Sequence, residues 1–288
     1  MQITSLGVWA ALDTLSAPNA AAFARRAEAW GYGALWIPEA VGREIFSASA
    51  WLLANTSTLI VASGIANIYA RDSLSAAAAQ NGLNEQSGDR FLLGLGVSHV
   101  PLVEGIRKHT YGKPLATMRA YLQTMAEADY RAVPPPATPK TVLAALGPKM
   151  LELSAQLADG AHPYNVPPEH TRQARGILGA NKLLCVEQAA ILETNAADAR
   201  ATARRFLSVY LGFPNYVDNW RRLGFTVADF AGGGSDRLID RIIVWGDERA
   251  IRDRIEEHRQ AGADHVCVQA IGQGGLPDER LLALLAPR

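Results

Sequence analysis

One punctuation mark recurs along this chain and limits its fold more than any other feature. An Ala-rich amphipathic helix ends at a glycine, and an apolar strand begins within a few residues. It occurs as RRAEAWGYGALWIPE, NEQSGDRFLLGLG, SAQLADGAHPY, RGILGANKLLCVE and HRQAGADHVCVQA. Glycine just past a last helical turn adopts the left-handed cap without strain, and so short a return is that of helix-to-strand loops. The copies at Gly31, Gly88, Gly160, Gly179 and Gly262 therefore predict repeated strand–helix units on a parallel sheet.

The apolar runs place strands at 3–9, 34–38, 58–65, 91–95, 141–146, 161–164, 183–192 and 264–270. Helices fill the intervals; Ser16 reads as an N-cap ahead of Pro18, and Leu115, Met118, Leu122 and Met125 fall on one helical face. The proline-rich AVPPPATPK reads as a rigid loop, because the strand–helix alternation continues beyond it. About 196–245 is too long for one crossover and holds the helical stretches ARATARRFLSVYL, NYVDNWRRLG and SDRLIDRIIVW, broken by Gly212-Phe213-Pro214 and Gly232-Gly233-Gly234. The reading is an α/β fold, a (β/α)8 TIM barrel forming one domain over 1–288, with a helical insertion at about 196–245 before the last strand. An open doubly wound sheet would carry a G-x-G-x-x-G turn after its first strand, and VWAALDT is not one.

Composition excludes several function classes. Lys+Arg and Asp+Glu both number 28, so there is no general basic field to draw nucleic acid. Neutrality is a solubility liability that a homodimer would relieve. The start, MQITSLGVWAAL, lacks a basic segment followed by a long apolar one, and no apolar run reaches the roughly 18 residues of a membrane span. Cys185 and Cys267 sit in apolar runs and read as buried free thiols of a reducing compartment. The six histidines show no metal-ligand spacing. The expectation is a cytoplasmic, metal-free enzyme or binding protein acting on a small molecule, with neither nucleic acid nor membrane as partner.

The stretch GDRFLLGLGVSHVP concentrates the candidate chemistry. A turn leads into a strand apolar on both faces, and the glycines at its exit permit close approach of backbone or ligand. Ser98 and His99 then emerge where parallel α/β folds place their active sites.

Together GYGALWIPEA, SGIANIYARD, GDRFLLGLGVSH, AALGPKMLELSAQLADGAHPY and AGADHVCVQ, in this order and covering most of the chain, resemble the luciferase-like monooxygenase superfamily. The nearer likeness is to its branch of oxidoreductases dependent on coenzyme F-420, a deazaflavin. The resemblance implies a barrel whose carboxyl-end loops hold a flavin or deazaflavin ring. It implies a non-proline cis bond after the third strand, at Ile65–Ala66 beside Asn67, against which the ring rests. It makes Gly96, Val97 and Ser98 a cofactor-facing loop, and aligns Gly147, Pro148 and Lys149 with the family's phosphate-side exit. There a glycine before a helix-starting proline leaves N–H groups free for an anion, and Lys149 adds a point charge. Sugar-phosphate dehydrogenases of the family carry Asp-His where this chain has Glu39-Ala40, and a glutamate where it has His99. Their substrate class is therefore not implied.

His99 is the first candidate for the catalytic proton-transfer group, since imidazole titrates near neutrality. Glu39 is the second, as a base or as a hydrogen-bond partner of the ring, although a carboxylate at a strand end also caps helices. His162 and Tyr164, at the sixth strand's exit, and Trp9, on the first, are candidate substrate contacts; such aromatics also serve as plain packing. The triple glycine at 232–234 reads as a mobile lid. The expected activity is hydride transfer between coenzyme F-420 and a small organic substrate. The alternatives are an FMN-dependent monooxygenase, with reduced flavin supplied by a partner flavin reductase, and a catalytically silent flavin-binding or partner-subunit protein.

Overall fold

The computed structural model describes residues 1–287. Eight strands run parallel and close on themselves: β1 (Leu6–Trp9), β2 (Ala34–Ile37), β3 (Ile60–Ser63), β5 (Phe91–Gly96), β6 (Thr141–Leu143), β7 (Gly160–Ala161), β8 (Leu183–Leu192) and β10 (His265–Ala270). Closure is made by β10, which pairs with β1 through Leu6↔Val266 and with β8 through His265↔Cys185 to Ala270↔Ala190. Two short strands lie off the ring. β4 (Ala66–Asn67) resumes the line of β3 along β5, and β9 (Val244–Gly246) pairs with the far end of β8.

Strand parity divides the core. Trp36, Ala62, Leu92, Val142, Cys185 and Cys267 fill the lumen. Val8, Leu35, Val61, Phe91, Leu93 and Val268 face outward beneath the helices. Period-two alternation on a strand buried on both faces gives this arrangement. Both cysteines are buried and unpaired.

The helix ends follow their residues. α1 (Ala17–Ala29) is capped by the Ser16 hydroxyl, which accepts from Asn19 N–H at 3.4 Å, with proline in its first turn. α3 (Ser73–Ser87) is capped by Asp72 and ends on Gly88 at φ 66°. Gly31, Gly179 and Gly262 also have positive φ, at 84°, 77° and 106°. Gly160 departs from the predicted cap. It lies within β7, where a side chain would collide with the Leu183 backbone.

After β8 the chain forms α7 (Ala196–Leu211), α8 (Pro214–Arg222), α9 (Val227–Phe230) and α10 (Asp236–Ile242). These pack a second apolar cluster around Leu207, Trp220, Phe225 and Ile239. The helix expected through Trp245 stops at Ile242. β7 pairs only with the first residues of β8, so further along that edge Ala190 to Leu192 are left to pair with Val244 to Gly246. α11 (Glu248–Gln260) then returns the chain to β10. Among the described residues no helix is long and apolar enough to cross a membrane.

Candidate active site at the mouth of the barrel

A cavity of about 290 Å³ opens at the carboxyl ends of the strands. It is built from Ile65 after β3, the 96–99 exit of β5, the 144–147 exit of β6, His162 and Tyr164 after β7, and one face of α8. Parallel barrels place ligands at this end because the loops that can vary leave from it.

The bulge between β3 and β4 shapes one wall. A non-proline cis bond is present at Gly64–Ile65, one residue earlier than expected at Ile65–Ala66. The physical reason is register. Ala66 and Asn67 are already paired with Leu95 and Gly96 on β5, so the turn must be completed before them. Gly64 suits the bend because a Cβ there would lie 2.6 Å from Trp9 Nε1 and 3.2 Å from His162 Nε2.

Glu39 braces this bulge from behind. Its carboxylate, 3% exposed, pairs with the Arg71 guanidinium through both oxygens and accepts the Asn67 N–H at 2.8 Å and the Ile45 N–H at 3.4 Å. It does not line the cavity. Asn67 and Ala66 likewise stand behind the wall as buried strand residues.

Helix α5 (Pro148–Leu157) begins at the opposite end of the cavity. Gly147 caps it without any side-chain hydrogen bond, so its first N–H groups and the positive end of its dipole are free for an anion. Pro148 and Lys149 are exposed and outside the lining. The cation that is present comes from α8. Arg222 lines the cavity, and its Nη2 is 3.3 Å from where a Cβ on Gly147 would stand. Asn215, Asp218 and Arg222 share one face of α8 and all meet the cavity. Their spacing of three and four was legible in the sequence, but which way the helix faced was not.

His99 lines the side between these ends. Its ring stacks on Phe213 at 4.0 Å and 9° and tilts against Tyr216 at 5.9 Å. Burial holds its pKa below the ordinary 6.5, against a side-chain hydrogen bond with Asn215 that raises it. The imidazole is therefore neutral at neutral pH and able to accept a proton. Ser98 adopts φ 57°, and its carbonyl accepts from Tyr111 Oη at 3.2 Å, which fixes the loop.

The lumen beneath supplies a second imidazole in a defined tautomer. The Cys185 carbonyl can only accept, so His162 Nδ1 donates to it at 2.8 Å. Burial lowers the His162 pKa to about 4, leaving a lone pair on Nε2. That atom and the Trp9 indole N–H are both buried without a partner. Tyr164 Oη donates to Gln269 Oε1 at 2.7 Å and meets Tyr210 Oη at 2.7 Å. Glu187, missed in the apolar run KLLCVEQAAIL, points into the lumen in phase with Cys185. It is fully buried and takes only the Asn165 N–H, at 2.9 Å, while its other oxygen is unpartnered. Burial pushes its pKa up to about 8, so it is a neutral acid at pH 7.

Of the residues expected at the site, Ile65, Gly96, Val97, Ser98, His99, Gly147, His162 and Tyr164 converge on the cavity. Trp9 borders a smaller neighbouring one.

The family model for luciferase-like monooxygenases matches residues 3–265. The chain belongs to that family. This luciferase-like protein is 26% identical to a Mycobacterium tuberculosis protein provisionally named a coenzyme F-420-dependent oxidoreductase, over 92% of this chain and 93% of the relative. It is 25% identical to the 5,10-methylenetetrahydromethanopterin reductase of Archaeoglobus fulgidus, over 85% and 87%. Its fold is similar to that of the coenzyme F-420-dependent tetrahydromethanopterin reductase of Methanopyrus kandleri, with TM-score 0.78 at 18% identity over 99% and 98% of the two chains.

Proposed function

We propose that this luciferase-like protein is a single-domain cytoplasmic oxidoreductase that moves a hydride between coenzyme F-420 and a small organic substrate. The observation that carries the reading is the cavity's polarity. An uncapped helix start beside Arg222 forms an anion-seeking end, and Ile65, Gly96, Val97 and Ala144 beside the Gly64–Ile65 bulge form an apolar one. Those two ends fit a phosphorylated tail and a flat ring. The name of the mycobacterial relative favours F-420 over FMN, so flavin-dependent monooxygenation is the less favoured reading.

In this reading the bound deazaflavin supplies a carrier for two electrons and a proton as hydride. The chain does the rest. Ile65 and Gly96 shape the seat of the ring, and Glu39 with Arg71 keeps that seat in place. Gly147 and Arg222 hold the anionic tail. His99, neutral and at the cavity wall, accepts the proton released as a substrate hydroxyl becomes a carbonyl, or returns it in the reverse direction. Phe213 and Tyr216 set its ring plane.

The test is to titrate the purified protein with F-420 and with FMN, following intrinsic tryptophan fluorescence. Quenching by F-420 at micromolar levels, with none by FMN, is the expected result. Response to neither sinks the proposal, and response to FMN alone transfers it to the monooxygenase reading.

A further inference from the structure

Beside the main cavity lies a smaller one of about 80 Å³, bordered by Trp9, Phe206, Gln269, Ile271 and Leu276. An aromatic belt joins the two. From His99 it runs to Tyr216 (5.9 Å), Tyr210 (5.1 Å), Tyr164 (5.4 Å) and Trp9 (5.2 Å), with Phe206 5.3 Å from Tyr210. Charge is absent along it. The formally charged residues of the main cavity, Asp218 and Arg222, both lie on α8, with Arg222 at the Gly147 end, and the smaller cavity has none. Glu187 lies behind the belt with Tyr164, Tyr210, Tyr216 and Cys267 around it, and is neutral.

The belt's hydroxyls are already paired, Tyr164 with Tyr210 and Gln269, but two other buried polar atoms beside it are not. The Trp9 indole N–H and the His162 Nε2 lone pair, a buried donor and a buried acceptor, both lack partners and both approach Gly64. A buried polar atom without a partner is costly.

We propose that the substrate is an uncharged molecule with a planar, aromatic or similarly apolar body and one oxygen function, an alcohol or its carbonyl, seated along this belt. The inference rests on the oxidoreductase reading and names its substrate class. In the oxidising direction the substrate C–H bond breaks with its electron pair passing to oxidised F-420. The O–H bond breaks with its proton passing to the neutral imidazole of His99, and the C=O bond forms. An anionic group on the body would be stripped of water against ring faces that repel it.

The decisive measurement is calorimetric titration of the F-420-loaded protein with acetylnaphthalene, with its ring-carboxylated analogue and with a sugar phosphate. Acetylnaphthalene should bind at least about tenfold more tightly than either anionic probe. Phe206→Leu should weaken it by roughly tenfold and leave F-420 affinity as in the wild type. Equal or tighter binding of an anionic probe overturns the proposal, and so does an unchanged affinity in Phe206→Leu. If the wild type does not bind F-420, the cofactor assignment fails by itself. The same probe series on the unloaded protein then decides the substrate class separately.

Discussion

At the scale of single residues, two candidates that look alike in the sequence separate by environment. Glu39 is enclosed by Arg71, Asn67 and Ile45, whereas His99 faces open space between Phe213 and Asn215. Replacing Glu39 by alanine leaves the largely buried Arg71 guanidinium only the exposed Glu44 carboxylate as counter-charge, and leaves the Asn67 N–H without its acceptor. We expect a loss of about 3–5 kcal/mol in denaturant unfolding, with ring binding lost as the bulge relaxes. His99→Gln keeps a hydrogen-bonding side chain of similar length but removes the proton acceptor. In stopped-flow hydride transfer it should lower the rate by roughly 10²–10⁴ while F-420 affinity stays within a few-fold. Burial lowers the His99 pKa, so the acid limb of wild-type alcohol oxidation should lie below 6.5, the base being lost only as pH falls through that lowered value. A limb above 6.5 would assign the proton to another group.

At the scale of elements, the proposed anion site lies at the junction of α5 with α8, and it separates Arg222 from Lys149. Arg222→Ala should weaken F-420 binding by roughly tenfold or more, the usual worth of one hydrogen bond to a charged group. Lys149→Ala, on an exposed position outside the cavity, should change it less than twofold. Equal effects of the two would place the phosphate elsewhere along α5. The β3–β4 bulge offers a second check. Gly64→Ala puts a methyl group 2.6 Å from Trp9 Nε1, so the indole must shift. F-420 binding should fall at least tenfold, the scale of forced repacking in a tight interior, while the circular dichroism of the barrel stays as in the wild type.

At the scale of the whole molecule, the closed barrel sets an unusual balance of buried titrating groups. His162, His258 and His265 have pKa values lowered from 6.5 to about 4, 3 and 4, chiefly by burial. The stability they contribute is complete above 6.5 and is lost as pH falls toward their folded values. Glu187 is opposite in sign. Its pKa rises from 4.5 to about 8, so its contribution is complete below 4.5 and is lost as pH rises through 8. The three imidazoles outweigh one carboxyl below 6.5, and Glu187 acts alone above it. Thermal stability from these groups should therefore peak near 6.5 and decline toward pH 8 by on the order of a few degrees. Glu187→Gln should abolish that alkaline decline, measured by calorimetry at several pH values. An unchanged decline would mean that Glu187 is already ionised in the fold.

How much of this was legible beforehand differs by feature. The helix–glycine–strand punctuation carried the barrel because capping and strand alternation are local, enforced by φ, by backbone hydrogen bonding and by side-chain parity. Four of the five marked glycines do have positive φ, and 183–192 is the strand expected. Gly160 was misread because a glycine needed for close packing against Leu183 looks the same in sequence as one needed for a left-handed cap. The cis bond was displaced by one residue because β4's register with β5 comes from a partner strand some thirty residues away.

Within the candidate site, the sequence by itself determined the residues at the strand exits, Gly96 to His99, Gly147, His162 and Tyr164, since a strand's end follows from its own run of residues. Only the tertiary structure decided that Arg222 rather than Lys149 meets Gly147, that Glu39 faces an arginine rather than the cavity, and that Glu187 is a neutral acid inside the barrel. Each of these is set by what a side chain meets across the fold. Packing of elements distant in sequence fixes those meetings, and no local periodicity records them.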